Sequence, residues 1–319
     1  MLWLYILIFI ISCILLTLAG ERLVSSLMRI ARFLGWREFV VSFFIMSFAA
    51  SLPELFIGIT SALQGIPQLS FGNIIGASVI HYTLAIAICA LILKGIDVES
   101  RTVRATSLFT VVASILPLLL ILDGILSRAD GILLILSFFF YISWLFSKQE
   151  RFTRIYDGLA LSYLKEFRTF LKDIGILILG TILLLLSSWG IIESATSFAE
   201  IIGVPLAFVG ILIVGLGTAL PETYFSIKAA QKGQSWIILG NLMGCTAITA
   251  SLVLGIVAII YPIRIFNFSP FIIGFSFLIL SAIFFLFFIR TGKKITKKEA
   301  IFLLSVYIIF VLFQILFAS

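Results

Sequence analysis

Residues 50–84 read ASLPELFIGITSALQGIPQLSFGNIIGASVIHYTL, and residues 218–252 read TALPETYFSIKAAQKGQSWIILGNLMGCTAITASL. Residue 50 aligns with residue 218, and the same shift of 168 positions holds without a gap to the end of both stretches. Leu-Pro-Glu and Gly-Asn-x-x-Gly occur in both copies. Chance does not align two such motifs at one fixed shift, so the chain contains an internal repeat.

The composition around this repeat is that of a membrane protein. Of 319 residues, 62% are hydrophobic and 12% are charged, whereas a soluble domain carries about 25% charged residues. A soluble globule, a disordered chain and a disulfide scaffold are therefore excluded. One histidine rules out a two-histidine metal motif, and the three cysteines lie in apolar runs. With no nucleophile–base pair and no cofactor motif, we expect a secondary transporter with no cofactor rather than an enzyme.

Ten apolar segments approach the roughly 20 residues that cross a bilayer. They are residues 2–20, 38–63, 69–93, 105–122, 130–147, 174–192, 203–229, 235–261, 269–289 and 299–318, here numbered spans 1 to 10. Five spans separate equivalent points of the two copies, and an odd number inverts the second copy in the membrane. We expect an all-α polytopic protein with ten transmembrane helices arranged as two inverted five-helix repeats.

The domain boundaries follow from the same spans. The first five-helix repeat occupies 1–147, a basic connector with a short surface helix occupies 148–173, and the second five-helix repeat occupies 174–319.

The basic residues predict the orientation. With the N-terminus outside, the loops after spans 1, 3, 5, 7 and 9 are cytoplasmic and hold all but Arg128 and Arg264 of the 22 Lys and Arg residues. This asymmetry is a strong positive-inside signal. We expect a multi-pass cell-membrane protein with both termini outside and the central loop in the cytoplasm. The net charge of +7 is explained by topology, so no nucleic-acid partner is expected, and a monomer is plausible.

Two acidic residues, Glu54 and Glu222, lie inside apolar spans at equivalent positions of the repeat. A carboxylate at the bilayer centre costs about 2.5–3.5 kcal/mol on insertion scales, so each marks a functional site. Pro53 and Pro221 precede them and lack an N–H, which should free carbonyls around 47–50 and 215–218. Carboxylates and carbonyls together suit a hard cation such as Ca²⁺.

The second motif supplies close packing and amides. Gly72, Gly76 and their counterparts are spaced by four residues, so each pair lies on one helix face and lets a neighbouring helix approach closely. Asn73 and Asn241 can satisfy freed backbone groups across that contact.

On these residues the sequence resembles the cation/calcium antiporter superfamily, in particular the prokaryotic sodium/calcium exchangers. The resemblance rests on Ser51-Leu52-Pro53-Glu54 with the Gly72–Gly76 motif, and on Gly217-Thr218-Ala219-Leu220-Pro221-Glu222 with the Gly240–Gly244 motif. It implies exchange of Ca²⁺ for Na⁺ or H⁺, with spans 2, 3, 7 and 8 forming the ion site and spans 1 and 6 sliding across them. The candidate ligands are Ser47, Ser51, Glu54, Asn73, His81, Thr218, Glu222, Asn241, Cys245 and Thr249.

The chain departs from the family pattern, close to G-T-S-L-P-E followed by G-N-x-x-G-S-N-x-x-N/D, at several oxygen ligands. Ala50 and Ala219 replace hydroxyl residues, Cys245 replaces a serine, and His81 and Thr249 occupy Asn/Asp positions. Two alternatives therefore stay open. One is a proton-coupled or transition-metal antiporter that uses His81, since imidazole titrates near neutral pH and binds softer metals. The other is a degenerate homologue that does not transport.

Overall fold

The computed structural model describes residues 2–33, 46–98, 101–147, 163–292 and 294–317. The helices of the first half are α1 (Leu2–Phe33), α2 (Met46–Ala50), α3 (Leu52–Leu63), α4 (Pro67–Ile80), α5 (Ile86–Leu93), α6 (Arg101–Leu120) and α7 (Arg128–Ser147). Those of the second half are α8 (Tyr163–Ile202), α9 (Leu206–Val209), α10 (Gly215–Gln231), α11 (Ser235–Ile248), α12 (Leu254–Ile260), α13 (Ser269–Thr291) and α14 (Lys297–Leu316).

The predicted all-α membrane fold is confirmed. In the described ranges, nine helical segments are long and apolar enough to cross a membrane, and α3 is a shorter apolar helix in predicted span 2. The start of span 2 at 38–45 and the connector at 148–162 lie outside the described residues.

In the described part of the connector, residues 163–173 are the beginning of α8 and not a separate short helix. No Gly or Pro interrupts the sequence from Tyr163 to Asp173, so nothing there ends the helix. α8 has 40 residues, which corresponds to about 60 Å at 1.5 Å per residue. Since this length is about twice the hydrocarbon thickness, the charged first turns of α8 extend beyond the apolar layer.

The internal repeat also appears in the backbone, in two π-helical segments. One spans His81–Ala85 between α4 and α5, and the other spans Thr249–Val253 between α11 and α12. They are related by the same shift that relates the two sequence copies. A further π segment, Gly210–Val214, joins α9 to α10. Single-turn π segments inside α-helices are frequent at functional sites.

Short strands join the two repeats at both ends of the bundle. β1 (Ile96–Asp97) pairs antiparallel with β4 (Lys294–Ile295), and β2 (Ile125–Leu126) pairs antiparallel with β3 (Ile263–Arg264). The first pair joins the loops after spans 3 and 9, and the second joins the loops after spans 4 and 8. Loops after odd spans thus meet one another, as do loops after even spans, which agrees with ten crossings.

Glycines in span 3 allow the two repeats to pack backbone to backbone. A Cβ added at Gly72 would lie 2.9 Å from the carbonyl oxygen of Ala207, and one added at Gly76 would overlap the carbonyl oxygen of Ile211. The predicted close helix contact therefore exists, and its partner is span 7 of the other repeat. This contact holds α4 against the helix that carries Glu222.

Helices α1 and α8 pack along each other. The apolar cluster at their contact includes Leu16, Leu23 and Leu184, and it continues into Leu52 of α3 and Val209 of α9. Arg29 of α1 forms a bidentate pair with Asp173 of α8, with Nε 2.9 Å from Oδ2 and one terminal nitrogen 2.5 Å from Oδ1. The Asp173 side chain is 3% exposed, so this pair connects the two helices at a buried carboxylate.

Candidate cation site

The two intramembrane glutamates are fully buried. Glu54 lies in the first turn of α3 and Glu222 lies in α10, and both are 0% exposed. Within the described ranges, neither oxygen of either carboxylate has a hydrogen-bond partner. Burying a carboxylate without a partner is expensive, and such groups in proteins are paired, neutralised or bound to a metal. Four unpartnered oxygens therefore form an arrangement suited to a cation.

The glutamates of the two repeats lie in one cluster with the single histidine. Glu54 interacts electrostatically with both Glu222 and His81. The Nε2 atom of His81 lies 3.5 Å from Oε2 of Glu222, yet the geometry is not that of a hydrogen bond. Spans 2, 3 and 7 thus each contribute one ionisable side chain to the same buried region.

Thr218 and Asn73 connect the two repeats next to the carboxylates. The Thr218 hydroxyl lies beside Glu54 but donates its proton to Oδ1 of Asn73 over 2.9 Å. Both side chains are 0% exposed. The position equivalent to Thr218 in the first repeat is Ala50, so the symmetry-related bond from position 50 to Asn241 cannot form. The site is asymmetric as a result.

Asn241 contacts the backbone of Glu222 and not its carboxylate. Its Nδ2 atom donates to the Ser226 hydroxyl over 3.3 Å and to the Glu222 carbonyl over 3.5 Å. The Cys245 thiol lies 3.7 Å from Oδ1 of Asn241 and 3.6 Å from the carbonyl of Ser47. Asn241 and Cys245 therefore border the site and hold its backbone, and Cys245 also lies next to Glu222.

The hydroxyls of Ser47 and Ser51 both donate to backbone carbonyls. The Ser51 hydroxyl donates to the Ser47 carbonyl over 2.9 Å, and the Ser51 N–H donates to the same carbonyl over 3.1 Å. The Ser47 hydroxyl donates to the Gly240 carbonyl over 3.5 Å. The Ser47 carbonyl is therefore bonded and is not the free carbonyl expected around 47–50. Proline removes only the bond to the carbonyl four residues earlier, which belongs to Ala49 in this repeat.

His81 and Thr249 each begin one of the symmetric π segments. Thr249 donates its hydroxyl to the Thr246 carbonyl over 3.3 Å, so its oxygen is bonded within its own helix. The structure brings Glu54, Glu222, His81, Asn73 and Thr218 together most closely. Among the described residues, no group of three His, Cys, Asp or Glu side chains is placed to hold a metal ion, so oxygens of other residues or of water would complete any coordination.

One residue of this region was missed from the sequence. Thr246 contacts Nδ1 of His81 at 3.0 Å across two spans. Its only sequence signal is its place in the second motif, two residues after Gly244 and equivalent to Ser78.

The described ranges hold nine spanning helices and the shorter α3. Their arrangement as two inverted repeats, with buried carboxylates on equivalent helices, defines a secondary transporter. The family model described as sodium/calcium exchanger protein matches residues 4–147 and 172–316, and the chain belongs to this family. The sodium/calcium exchanger MaX1 of Methanosarcina acetivorans is 25% identical, covering 97% of this chain and 98% of that protein. The putative antiporter CaxA of Alkalimonas amylolytica is 29% identical over 79% of each chain.

The fold is likewise that of a solved exchanger. The structure of the sodium-calcium exchanger NCX_Mj superimposes with a TM-score of 0.68 at 23% identity, covering 98% of this chain and 99% of the other.

Proposed function

We propose that this chain exchanges Ca²⁺ for Na⁺ or H⁺ by alternating access at a site built on Glu54 and Glu222. The carrying observation is that both carboxylates are 0% exposed and without a hydrogen-bond partner in the described ranges. A Ca²⁺ ion neutralises two carboxylates and takes 6–8 oxygen ligands. Asn73 and Thr218, already bonded to each other beside Glu54, supply further oxygens.

The names of relatives agree with this ion. MaX1 is named a sodium/calcium exchanger, and the solved relative is named a sodium-calcium exchanger. The family pattern has oxygen-bearing side chains at positions 50 and 219 and Asn or Asp at position 249, where this chain has Ala50, Ala219 and Thr249. We therefore place the divalent ion between Glu54 and Glu222. The flux experiment below identifies the coupling ion.

We propose that α1 and α8 form a two-helix layer that moves during transport. The two helices pack along each other, and the Arg29–Asp173 pair links them. Sliding of this layer over spans 2, 3, 7 and 8 would open the site to each side in turn. We further propose the boundaries 1–147, 148–173 and 174–319, with both termini outside and the connector in the cytoplasm.

Flux in proteoliposomes tests the function. We expect an outward-directed gradient of Na⁺ or H⁺ to drive uptake of ⁴⁵Ca²⁺ into the vesicles. The gradient that drives uptake identifies the coupling ion. Glu54→Gln and Glu222→Gln keep side-chain volume and remove one charge, and each should abolish uptake. Glu193→Gln, at an exposed position of α8, is the matched control and should transport normally.

Two results would overturn the proposal. Full uptake by either site variant would remove that glutamate from the site. An absence of ⁴⁵Ca²⁺ movement under both gradients, in protein that is folded, would show that Ca²⁺ is not the substrate or that the chain does not transport.

A further inference from the structure

The hydrogen bonds around His81 favour one tautomer of its ring. The Thr246 hydroxyl donates to the Leu242 carbonyl over 2.9 Å, and a hydroxyl has one proton to donate. The Nδ1 atom of His81 lies 3.0 Å from the same hydroxyl oxygen. With its own proton on the Leu242 carbonyl, Thr246 accepts this bond, and the N–H is then on Nδ1.

The other nitrogen is then a lone-pair donor inside the site. In the neutral imidazole Nε2 has no proton when Nδ1 has one, and Nε2 has no hydrogen-bond partner in the described part of the chain. It lies 3.5 Å from the carboxylate oxygen Oε2 of Glu222. Two electron-pair donors thus face each other in a residue pair that is 2% and 0% exposed, and a metal cation or a proton between them would satisfy both.

We propose that Nε2 of His81 is a direct ligand for transition-metal dications of the zinc class, which the site then binds in addition to Ca²⁺. This inference rests on the proposed function, because it assigns a further ligand to the same site. Imidazole nitrogen suits zinc and its neighbours, whereas Ca²⁺ takes oxygen. Two ligands about 2.1 Å from a tetrahedral ion are roughly 3.4 Å apart, which matches the His81–Glu222 separation.

Thr246 acts as a positioning residue in this arrangement. Histidines that bind metals donate their second ring N–H to an acceptor that fixes the tautomer, and loss of that acceptor typically costs about 10–100-fold in metal affinity. Thr246 supplies that acceptor from span 8, while His81 lies in span 3 and Glu222 in span 7. The three residues come from different spans, so the ligand pair forms only in the assembled bundle.

Thermal stabilisation of the purified full chain by Zn²⁺ and by Ca²⁺ tests the inference, because an ion that binds the folded state raises its stability with concentration. For the wild type we expect half-maximal stabilisation by Zn²⁺ at a concentration at least 10-fold below that of Ca²⁺. His81→Asn should abolish this preference and retain Ca²⁺ stabilisation. Thr246→Val should lose about 10–100-fold in Zn²⁺ affinity with little change for Ca²⁺, and Thr246→Ser should restore it.

Thr83→Val is the matched control. Thr83 lies in the same π segment as His81, and its hydroxyl donates to the Val79 carbonyl of α4. Like Thr246→Val, this variant removes a buried hydroxyl that has a local bond, but it leaves the His81–Thr246 contact in place. It should keep the wild-type ratio of Zn²⁺ to Ca²⁺ affinity. An unchanged ratio in His81→Asn, or in Thr246→Val should His81→Asn fail to fold, overturns the inference.

The glutamate variants separate this inference from the proposed site. Loss of stabilisation by both ions in Glu54→Gln and Glu222→Gln, together with an unchanged ratio in His81→Asn, would overturn the histidine ligand alone. Retention of stabilisation by both ions in the glutamate variants would overturn the site itself.

Discussion

Gly76→Ala should destabilise the bundle, although alanine is the better helix former. The added Cβ would lie 2.7 Å from the carbonyl carbon and 3.1 Å from the Cα of Ile211, whereas carbon atoms in contact are about 3.5–4.0 Å apart. Both partners are backbone, so no side-chain rotation relieves the overlap. Overpacking of this kind costs about 1–3 kcal/mol, while the substitution gains at most about 1 kcal/mol in helix propensity.

The shift should also weaken the site. Asn73 lies on the same helix as Gly76, and its bond from Thr218 of α10 joins the two segments that the new methyl group would push apart. We therefore expect a lower unfolding temperature and a smaller Ca²⁺-dependent stabilisation in the same variant.

Thermal unfolding of the detergent-purified chain measures both effects. Gly175→Ala is the matched control, since a Cβ added at Gly175 in α8 meets nothing within 4 Å. It should unfold at or above the wild-type temperature, because only the propensity gain applies. If Gly76→Ala unfolded at the same temperature as Gly175→Ala, the claim that spans 3 and 7 pack closely at Gly76 would be contradicted.

Three further predictions concern other contacts. Arg29→Ala leaves the buried Asp173 carboxylate unpaired and should lower the free energy of unfolding by about 1–3 kcal/mol; adding Asp173→Asn should recover part of it, and no recovery would argue against the pair. Thr218→Val removes the bond to Asn73 and should weaken Ca²⁺ binding by roughly 10-fold, or about 1.4 kcal/mol, in a thermal-shift titration; unaltered affinity would show that this bond does not position the site. A cysteine placed in the connector 148–173 should react with an impermeant thiol reagent only from the cytoplasmic side, and labelling from outside would invert the proposed topology.

The architecture could be predicted from the sequence because it depends on features that are local or periodic. Span length, the duplicated Pro-Glu and Gly-Asn-x-x-Gly motifs and the basic loops are each visible in a short window. An odd number of spans between copies then suffices to invert the second repeat. The close packing of Gly72 and Gly76 was also predictable, since small residues spaced by four favour helix contact.

The details of the site could not be predicted because they depend on contacts between distant segments. The His81–Thr246 contact joins residues 165 positions apart, and its consequence for the tautomer depends on where one hydroxyl proton goes. The Arg29–Asp173 pair, 144 positions apart, carries no motif. The π segments that begin at His81 and Thr249 carry no sequence motif that predicts a π-helix.

Equilibrium binding of ⁴⁵Ca²⁺ to the purified chain tests the central claim most directly. We predict one saturable Ca²⁺ ion per chain for the wild type and for Glu193→Gln, and no saturable binding for Glu54→Gln or Glu222→Gln. Saturable binding that survives in both glutamate variants would contradict the claim that these two buried carboxylates hold the transported ion.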